Sequence, residues 1–117
     1  VRDYIAEKSI SVTQLDSRLN HMLAYYKDET DNLLYNLLDS HDTERFLYLC
    51  HENKKLLKLA AAFQMLFPGS PAIYYGDEVG MTGDNDPDCR RCMEWEENAD
   101  KDVKNWYQKM IQLRNNY

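Results

Sequence analysis

Amphipathic helical segments alternate with short apolar runs along this chain, and the alternation constrains its fold more than any other feature. Three segments place apolar residues at helical spacing, and they cover residues 11–27, 52–69 and 102–117. Ser11 and Gln14 have the spacing of a capping box, which predicts where the first helix begins. Pro68 and Gly69 are typical of a helix end and predict where the second helix stops.

Two apolar runs between the helical segments predict strands. Residues 32–40 are largely apolar without strict alternation, which is typical of a strand buried on both faces of a parallel sheet. Residues 72–75 form a shorter apolar run that Gly76 ends. Strands that alternate with helices are parallel and are joined by crossover helices. The pattern therefore predicts an α/β fold with two parallel strands and a long irregular loop at 79–100.

Two strands are too few for a sheet that is stable alone. A complete α/β barrel with eight strands needs roughly 250 residues, whereas this chain has 117 and begins at Val1 without a methionine. We therefore expect the chain to be a fragment of a larger domain.

The charge balance and composition exclude several classes of protein. The net charge of −6 and the pI of about 5.0 argue against a nucleic-acid partner, which usually requires a basic surface. No apolar run is long enough to predict a membrane span. Three cysteines are too few for a disulfide framework, and free thiols favour a reducing compartment. We therefore expect a cytoplasmic protein.

Polar clusters follow both predicted strands. They are Ser40, His41, Asp42, Thr43 and Arg45 after the first strand, and Gly76, Asp77 and Glu78 after the second. Because sites in parallel α/β folds form where strands end, the two clusters predict one functional edge. The alternative is that Ser40, Asp42 and Thr43 serve only as turn formers or helix caps.

The His41–Asp42 pair suits a supporting role in sugar chemistry. A retaining glycosidase uses two carboxyl groups around an oxocarbenium-like transition state. A further carboxylate can hold ring hydroxyls, and a neighbouring imidazole can donate to a hydroxyl of the same ring. Asp42 and His41 fit these two positions, and Arg45 would balance the charge of Asp42.

Three motifs together resemble the α-amylase family of glycoside hydrolases. They are LLDSHDTERF at 37–46, FPGSPAIYYGDEVGM at 67–81 and GDNDPDCRRCMEW at 83–95. Within the family they are most similar to the neopullulanase, cyclomaltodextrinase and maltogenic amylase group, to which Ser40 also points. The resemblance covers nearly the whole chain. It implies a partial (β/α)8 TIM barrel in which residues 1–117 are the C-terminal third, roughly from helix six to helix eight.

The resemblance also implies roles for individual residues. Asp42 matches the family carboxylate that stabilises the transition state, and His41 matches the histidine that contacts the sugar at the cleavage site. The strand-eight motif, which is largely structural, matches Tyr74, Tyr75, Gly76 and Glu78. Arg45 and Arg91 are further candidates for substrate contact, although a surface ion pair is the simpler interpretation for Arg90 and Arg91.

The implied activity is retaining hydrolysis of α-1,4-glucans such as cyclodextrin, pullulan, starch or maltooligosaccharides, with no cofactor and no metal. The family's nucleophile and acid/base lie on strands four and five, which this chain lacks, so the isolated chain is expected to be inactive. Its open strand edges predict self-association. The alternatives are a non-catalytic carbohydrate-binding module and a small α/β interaction domain.

Two other motifs have simpler interpretations. Asp84, Asp86 and Asp88 share the alternate spacing of a calcium loop, but Cys89 and Trp95 stand where that loop needs Gly and Glu. Cys89 and Cys92 have the spacing of a zinc knuckle or a redox pair. Because no second Cys/His pair accompanies them at finger spacing, two free thiols are expected.

Overall fold

The computed structural model describes residues 1–26 and 28–117. That part of the chain contains six α-helices and two short strands. In chain order they are α1 (Arg2–Ile5), α2 (Val12–Tyr25), α3 (Asp28–Asp31), β1 (Tyr35–Asn36), α4 (Phe46–Leu49), α5 (Lys54–Leu66), β2 (Ser70–Pro71) and α6 (Lys101–Asn116). The long segment between β2 and α6 carries three 3-10 turns, at Asp77–Val79, Asp88–Arg90 and Glu96–Asn98. The predicted long loop between the last strand and the last helix is thus confirmed.

The three long helices begin at side-chain caps. Ser11 and Gln14 form the predicted capping box, in which Gln14 N donates to Ser11 Oγ at 3.2 Å and Ser11 N donates to Gln14 Oε1 at 2.8 Å. At the start of α5 the Asn53 side chain accepts from Lys55 N, and at the start of α6 the Asp100 side chain accepts from Asp102 N and Val103 N. The predicted positions of all three helices are confirmed, although Lys27, near which α2 was predicted to end, lies outside the described residues.

The two strands are parallel, as predicted. Tyr35 is opposite Ser70 and Asn36 is opposite Pro71. Ser70 N donates to Leu34 O at 2.6 Å, and Ala72 N donates to Asn36 O at 2.8 Å. Helix α5 connects the strands as a crossover.

The predicted strand bounds, 32–40 and 72–75, are wrong. Strand pairing between the two segments covers only Tyr35–Asn36 and Ser70–Pro71. An apolar run reports the tendency of a segment to be buried, whereas a strand needs a partner for its backbone hydrogen bonds. Ala72 N still donates to Asn36 O, but residues 73–75 run on toward Gly76 without a further backbone hydrogen bond to the β1 segment among the described residues.

The core lies between α4, α5 and α6. Its fully buried members include Phe46, Leu47, Leu57, Ala60, Ala61, Val103 and Tyr107. Trp106 Nε1 donates to Lys58 O at 2.9 Å and joins α6 to α5. Because α4 begins directly after Arg45, this core supports the polar segment that follows β1.

A second apolar region remains open to solvent. A groove of about 380 Å³ lies between α2, β1 and α5 and is lined mainly by Leu19, Met22, Tyr35, Leu37, Phe63 and Phe67. In the described part of the chain, none of the helices combines the length and apolar character that crossing a bilayer would need.

Candidate active site

The segment after β1 forms a turn that its own short polar side chains close. Ser40 N donates to Thr43 Oγ1 at 3.1 Å, and Asp42 N donates to Ser40 Oγ at 3.2 Å. Phe46 N donates to Asp39 Oδ2 at 2.6 Å, which ties the end of the turn to its beginning. Ser40 and Thr43 are therefore turn formers, as the simpler interpretation of this cluster predicted, whereas the Asp42 carboxylate takes no part in closing the turn.

His41 and Asp42 project from this turn into solvent. Their side chains are 64% and 70% exposed, and His41 Nε2 lies 3.3 Å from Asp42 Oδ2. The structure therefore brings together the two residues that carry the predicted sugar chemistry. Both are open to a ligand on the solvent side.

The loop after β2 approaches the same turn. Arg90 Nε donates to His41 O at 3.0 Å, and Arg90 Nη2 lies 3.7 Å from Asp42 Oδ1. Cys89 Sγ is 3.6 Å from His41 O. The sequence offered Arg90, with Arg91, as a possible sugar contact or a surface ion pair, but it did not place Cys89 at the site, because a contact across 48 positions leaves no periodic signal.

Arg90 and Arg91 also form the surface ion pairs that the sequence suggested. Arg90 Nε lies 3.0 Å from Asp86 Oδ1, and Arg91 Nε lies 3.2 Å from Asp88 Oδ1. The Asp88 carboxylate also accepts from Asp84 N at 2.8 Å. These carboxylates contact arginines and backbone amides, and they do not converge on a common centre as calcium ligands would. Among the described residues no group of three or more His, Cys, Asp or Glu side chains is arranged to hold a metal ion.

Arg45 is fully buried, so the prediction that it contacts substrate is wrong. Its Nη1 donates to Tyr75 O at 2.7 Å and to Asp77 Oδ1 at 3.2 Å. Its guanidinium carbon lies 4.5 Å from the centre of the Tyr74 ring and 4.8 Å from that of Tyr75. Arg45 therefore balances the charge of Asp77 and not that of Asp42. Its bonds to Tyr75 O and Asp77 link the segment after β1 to the segment after β2.

The strand-end motif after β2 makes its contacts within the chain. Gly76 has a φ of 94°, which favours glycine, and its N–H donates to Glu78 Oε2 at 2.8 Å. The Tyr74 hydroxyl donates to Cys89 O at 3.2 Å, and the Tyr75 hydroxyl donates to Arg91 O at 2.7 Å. Burial raises the pKa of Tyr74 to about 12, so this hydroxyl is a neutral donor at physiological pH.

A cleft of about 240 Å³ lies between the two strand ends. Its lining includes Tyr35, Leu37, His41, Tyr74 and Tyr75. Aromatic faces beside polar groups are suited to binding sugar rings, which present apolar faces and hydroxyl edges. The apolar groove at α2 is larger, but its polar lining residues, Arg2, Asn36 and Gln64, include no carboxylate or imidazole, so the cleft is the better candidate site.

Comparison with known proteins places the chain in one family. The family described as "Alpha amylase, catalytic domain" matches residues 3–117. A cyclomaltodextrinase of Thermoanaerobacter pseudethanolicus is 47% identical over 97% of the chain, which corresponds to 20% of that protein. An intracellular maltogenic amylase of Bacillus subtilis is 40% identical over 96% of the chain and 19% of its own length.

A solved cyclomaltodextrinase structure has the same fold over nearly the whole chain. Its TM-score is 0.94 at 42% identity, and the match covers 99% of this chain and 20% of that one. The chain thus spans about a fifth of the length of the relatives it matches. The predicted fold, part of a (β/α)8 barrel with two parallel strands, is confirmed. The chain belongs to the α-amylase family, in whose catalytic domain its match lies.

Proposed function

We propose that residues 1–117 form the C-terminal third of the catalytic barrel of a retaining glycoside hydrolase that acts on α-1,4-glucans. The similarity to a cyclomaltodextrinase supports a substrate such as cyclodextrin, with pullulan, starch and maltooligosaccharides as related substrates. The match of the catalytic-domain family to residues 3–117 favours an enzyme over an unrelated interaction module.

The observation that carries this proposal is the exposed His41–Asp42 pair, of which His41 lines the aromatic cleft. Asp42 accepts hydrogen bonds from ring hydroxyls and stabilises the positive charge that develops on the sugar in the transition state. His41 donates to a hydroxyl of the same ring. The exposure of both side chains supports these roles, because each can exchange its present contacts for a sugar.

The other groups of the site orient this pair. The strand-end motif of Tyr74, Tyr75, Gly76 and Glu78 shapes the cleft and ties it to the loop that carries Arg91. Arg91 is half-exposed beside Asp88 and lies at the edge of the site, where it can contact a sugar ring distant from the cleavage site. The nucleophile and the acid/base are supplied from outside residues 1–117.

Asp42→Asn in the complete protein that contains this chain tests the role of Asp42. We expect kcat for cyclodextrin to fall by roughly 100-fold to 1,000-fold, with a much smaller change in KM, because the charge acts mainly in the transition state. The matched control is Asp16→Asn, which makes the same substitution on the exposed face of α2. A kcat for Asp42→Asn within about twofold of the wild type would contradict the assignment.

The isolated 117-residue chain is inactive under this proposal and self-associates. Leu33 and Tyr35 are 78% and 72% exposed, and Tyr35 borders the open apolar groove. Release of reducing sugar from cyclodextrin by the purified chain would contradict the first statement. A single monomeric peak on gel filtration would contradict the second.

We also infer a cytoplasmic location for the complete protein. Cys50, Cys89 and Cys92 are free thiols, as is common in reducing compartments. The name of the Bacillus subtilis relative, an intracellular maltogenic amylase, supports the same location. Cell fractionation with an antibody to this chain tests it, and enrichment in the culture medium would contradict it.

A further inference from the structure

Arg45 brings a positive charge into the interior of the molecule, close to the proposed site. Its side chain is 0% exposed, although it stands three positions after the exposed Asp42. Burying a guanidinium is costly unless other groups compensate its charge. An apolar side chain of similar size would fill the same space without this cost, so packing alone does not account for an arginine at this position.

The guanidinium of Arg45 binds the strand-end motif after β2. Its Nη1 donates to Tyr75 O at 2.7 Å and to Asp77 Oδ1 at 3.2 Å, whereas Nε and Nη2 have no hydrogen-bond partner among the described residues. The guanidinium carbon lies 4.5 Å from the centroid of the Tyr74 ring and 4.8 Å from that of Tyr75. The side chain therefore contacts both tyrosines through their rings and Tyr75 also through its backbone.

The two tyrosines bind the loop that follows them. The Tyr74 hydroxyl donates to Cys89 O at 3.2 Å, and the Tyr75 hydroxyl donates to Arg91 O at 2.7 Å. The two rings pack edge to face, with their centroids 4.7 Å apart. Because each hydroxyl stands at the far end of its ring, the direction of the ring determines where the hydroxyl meets the loop. A planar cation that contacts both rings fixes those directions.

The loop then contacts the turn after β1. Arg90 Nε donates to His41 O at 3.0 Å, and Cys89 Sγ lies 3.6 Å from the same oxygen. The backbone N–H of Arg45 donates to Gly83 O at 2.9 Å, so the segment after β1 is bonded to this loop at two places. A continuous path of contacts therefore leads from the Arg45 side chain through the tyrosines and the loop to the backbone of His41.

We propose that Arg45 is a positioning residue for the site. Its guanidinium fixes Tyr74 and Tyr75, and their hydroxyls fix the loop. The loop holds the backbone at His41, which directs His41 and Asp42 toward the substrate. The effect on catalysis rests on the proposed function, in which Asp42 stabilises the transition state. Lysine at this position would keep the positive charge but would lose the planar face that packs against the rings.

Hydrogen–deuterium exchange of the complete protein tests the path without any activity measurement. In Arg45→Lys the amides of residues 83–91 should exchange at least about fivefold faster than in the wild type, because the loop loses the contacts that hold it. The matched control Arg114→Lys changes a half-buried arginine that donates to backbone carbonyls at the end of α5, before β2 begins, and it should leave this exchange unchanged.

Two results of this experiment would overturn the proposal, whatever role Asp42 has. The first is unchanged exchange at 83–91 in Arg45→Lys. The second is an increase that extends equally to the amides of α6, because it would show a general loosening of the structure and not a release of the loop.

The kinetics for cyclodextrin test the positioning role. Arg45→Lys should lower kcat by roughly tenfold or more with a change in KM below about threefold, because misplaced groups cost transition-state stabilisation. Arg114→Lys should keep kcat within about twofold of the wild type, and a kcat for Arg45→Lys inside that limit would overturn the positioning role. Full activity of Asp42→Asn would instead show that the proposed function is wrong, while leaving the exchange prediction in place.

Tyr74→Phe tests the same path even if Arg45→Lys fails to fold, because it keeps the ring and removes only the hydroxyl that donates to Cys89 O. It should accelerate exchange at 83–91 and lower kcat by roughly fivefold. In the double variant with Arg45→Lys, kcat should stay within about twofold of Arg45→Lys alone, since both changes act along one path. Losses that multiply, or a Tyr74→Phe protein with wild-type kcat and exchange, would overturn the path.

Discussion

Replacing Asp100 with alanine should destabilise α6 through two separable interactions. The Asp100 carboxylate accepts hydrogen bonds from Asp102 N at 2.9 Å and Val103 N at 3.0 Å, which caps the helix. Its other oxygen pairs with Lys54 Nζ on α5. The backbone N–H of Asp100 donates to Val79 O at 2.9 Å, so the start of α6 is also bonded to the 3-10 turn at Asp77–Val79.

The expected loss follows from the two interactions. Removing a side-chain cap costs about 1 kcal/mol of unfolding free energy. The ion pair adds about 0.5 kcal/mol at most, because the Lys54 side chain is 52% exposed and its charge is screened by water. Asp100→Ala should therefore lose roughly 1.5 kcal/mol. Asp100→Asn retains a cap acceptor and should lose about 0.5 kcal/mol or less.

The difference between wild type and Asp100→Ala should depend on pH. Lys54 and the backbone N–H groups hold the pKa of Asp100 below its usual value. A carboxyl group whose pKa is lower in the folded state adds stability above its unfolded pKa of about 4. That contribution disappears as the pH falls through the lower, folded pKa. The two proteins should therefore converge in stability under strongly acidic conditions.

Equilibrium urea unfolding of the complete protein measures these differences. Lys54→Gln removes the ion pair and keeps the cap, so it should reproduce the small loss of Asp100→Asn. The control Asp16→Ala alters an exposed helical position outside any cap. If Asp100→Asn proves as damaging as Asp100→Ala, Asp100 does not act as a helix cap.

Three further outcomes are expected. Gly76→Ala should lose about 2 kcal/mol or more of unfolding free energy, because a Cβ at a φ of 94° would meet the Met81 sulfur; a neutral effect in urea unfolding would contradict this. Gln64→Leu should lose about 1–3 kcal/mol in the same assay, since its amide donates to a carbonyl in each strand segment at 3.0 and 2.7 Å, and an unchanged midpoint would show that these bonds are dispensable. Iodoacetamide at mildly alkaline pH should label exposed Cys92 well before Cys50, because burial raises the pKa of the Cys50 thiol to about 11. Peptide mass spectrometry that finds Cys50 labelled first would contradict the burial of this thiol.

The three long helices, α2, α5 and α6, were predictable because their signals are local. Ser11 and Gln14 are three positions apart, and their capping box forms from those two side chains and their own backbone. The apolar faces of α5 and α6 also follow from spacing alone, and these helices form much of the core. Each of these signals lies within the helix that it specifies.

The strand bounds were not predictable from the same kind of signal. The run at 32–40 is apolar, yet Leu37 is 45% exposed and pairing ends at Asn36. A strand exists where a second segment accepts its hydrogen bonds, and hydropathy of one segment carries no information about the second. The parallel direction was nevertheless predictable, because a crossover helix between two strands permits little else.

Arg45 shows why the roles within one polar cluster diverge. His41, Asp42 and Arg45 stand within five positions and all follow β1, so position alone favours the same exposed edge for each. The turn closed by Asp39 and Phe46 reverses the chain between them, which leaves His41 and Asp42 on the solvent side and carries Arg45 to the inside. Burial of a guanidinium then requires a carboxylate partner. That partner, Asp77, lies in the second polar cluster, 32 positions away. The same turn therefore exposes His41 and Asp42 while it buries Arg45 against Asp77.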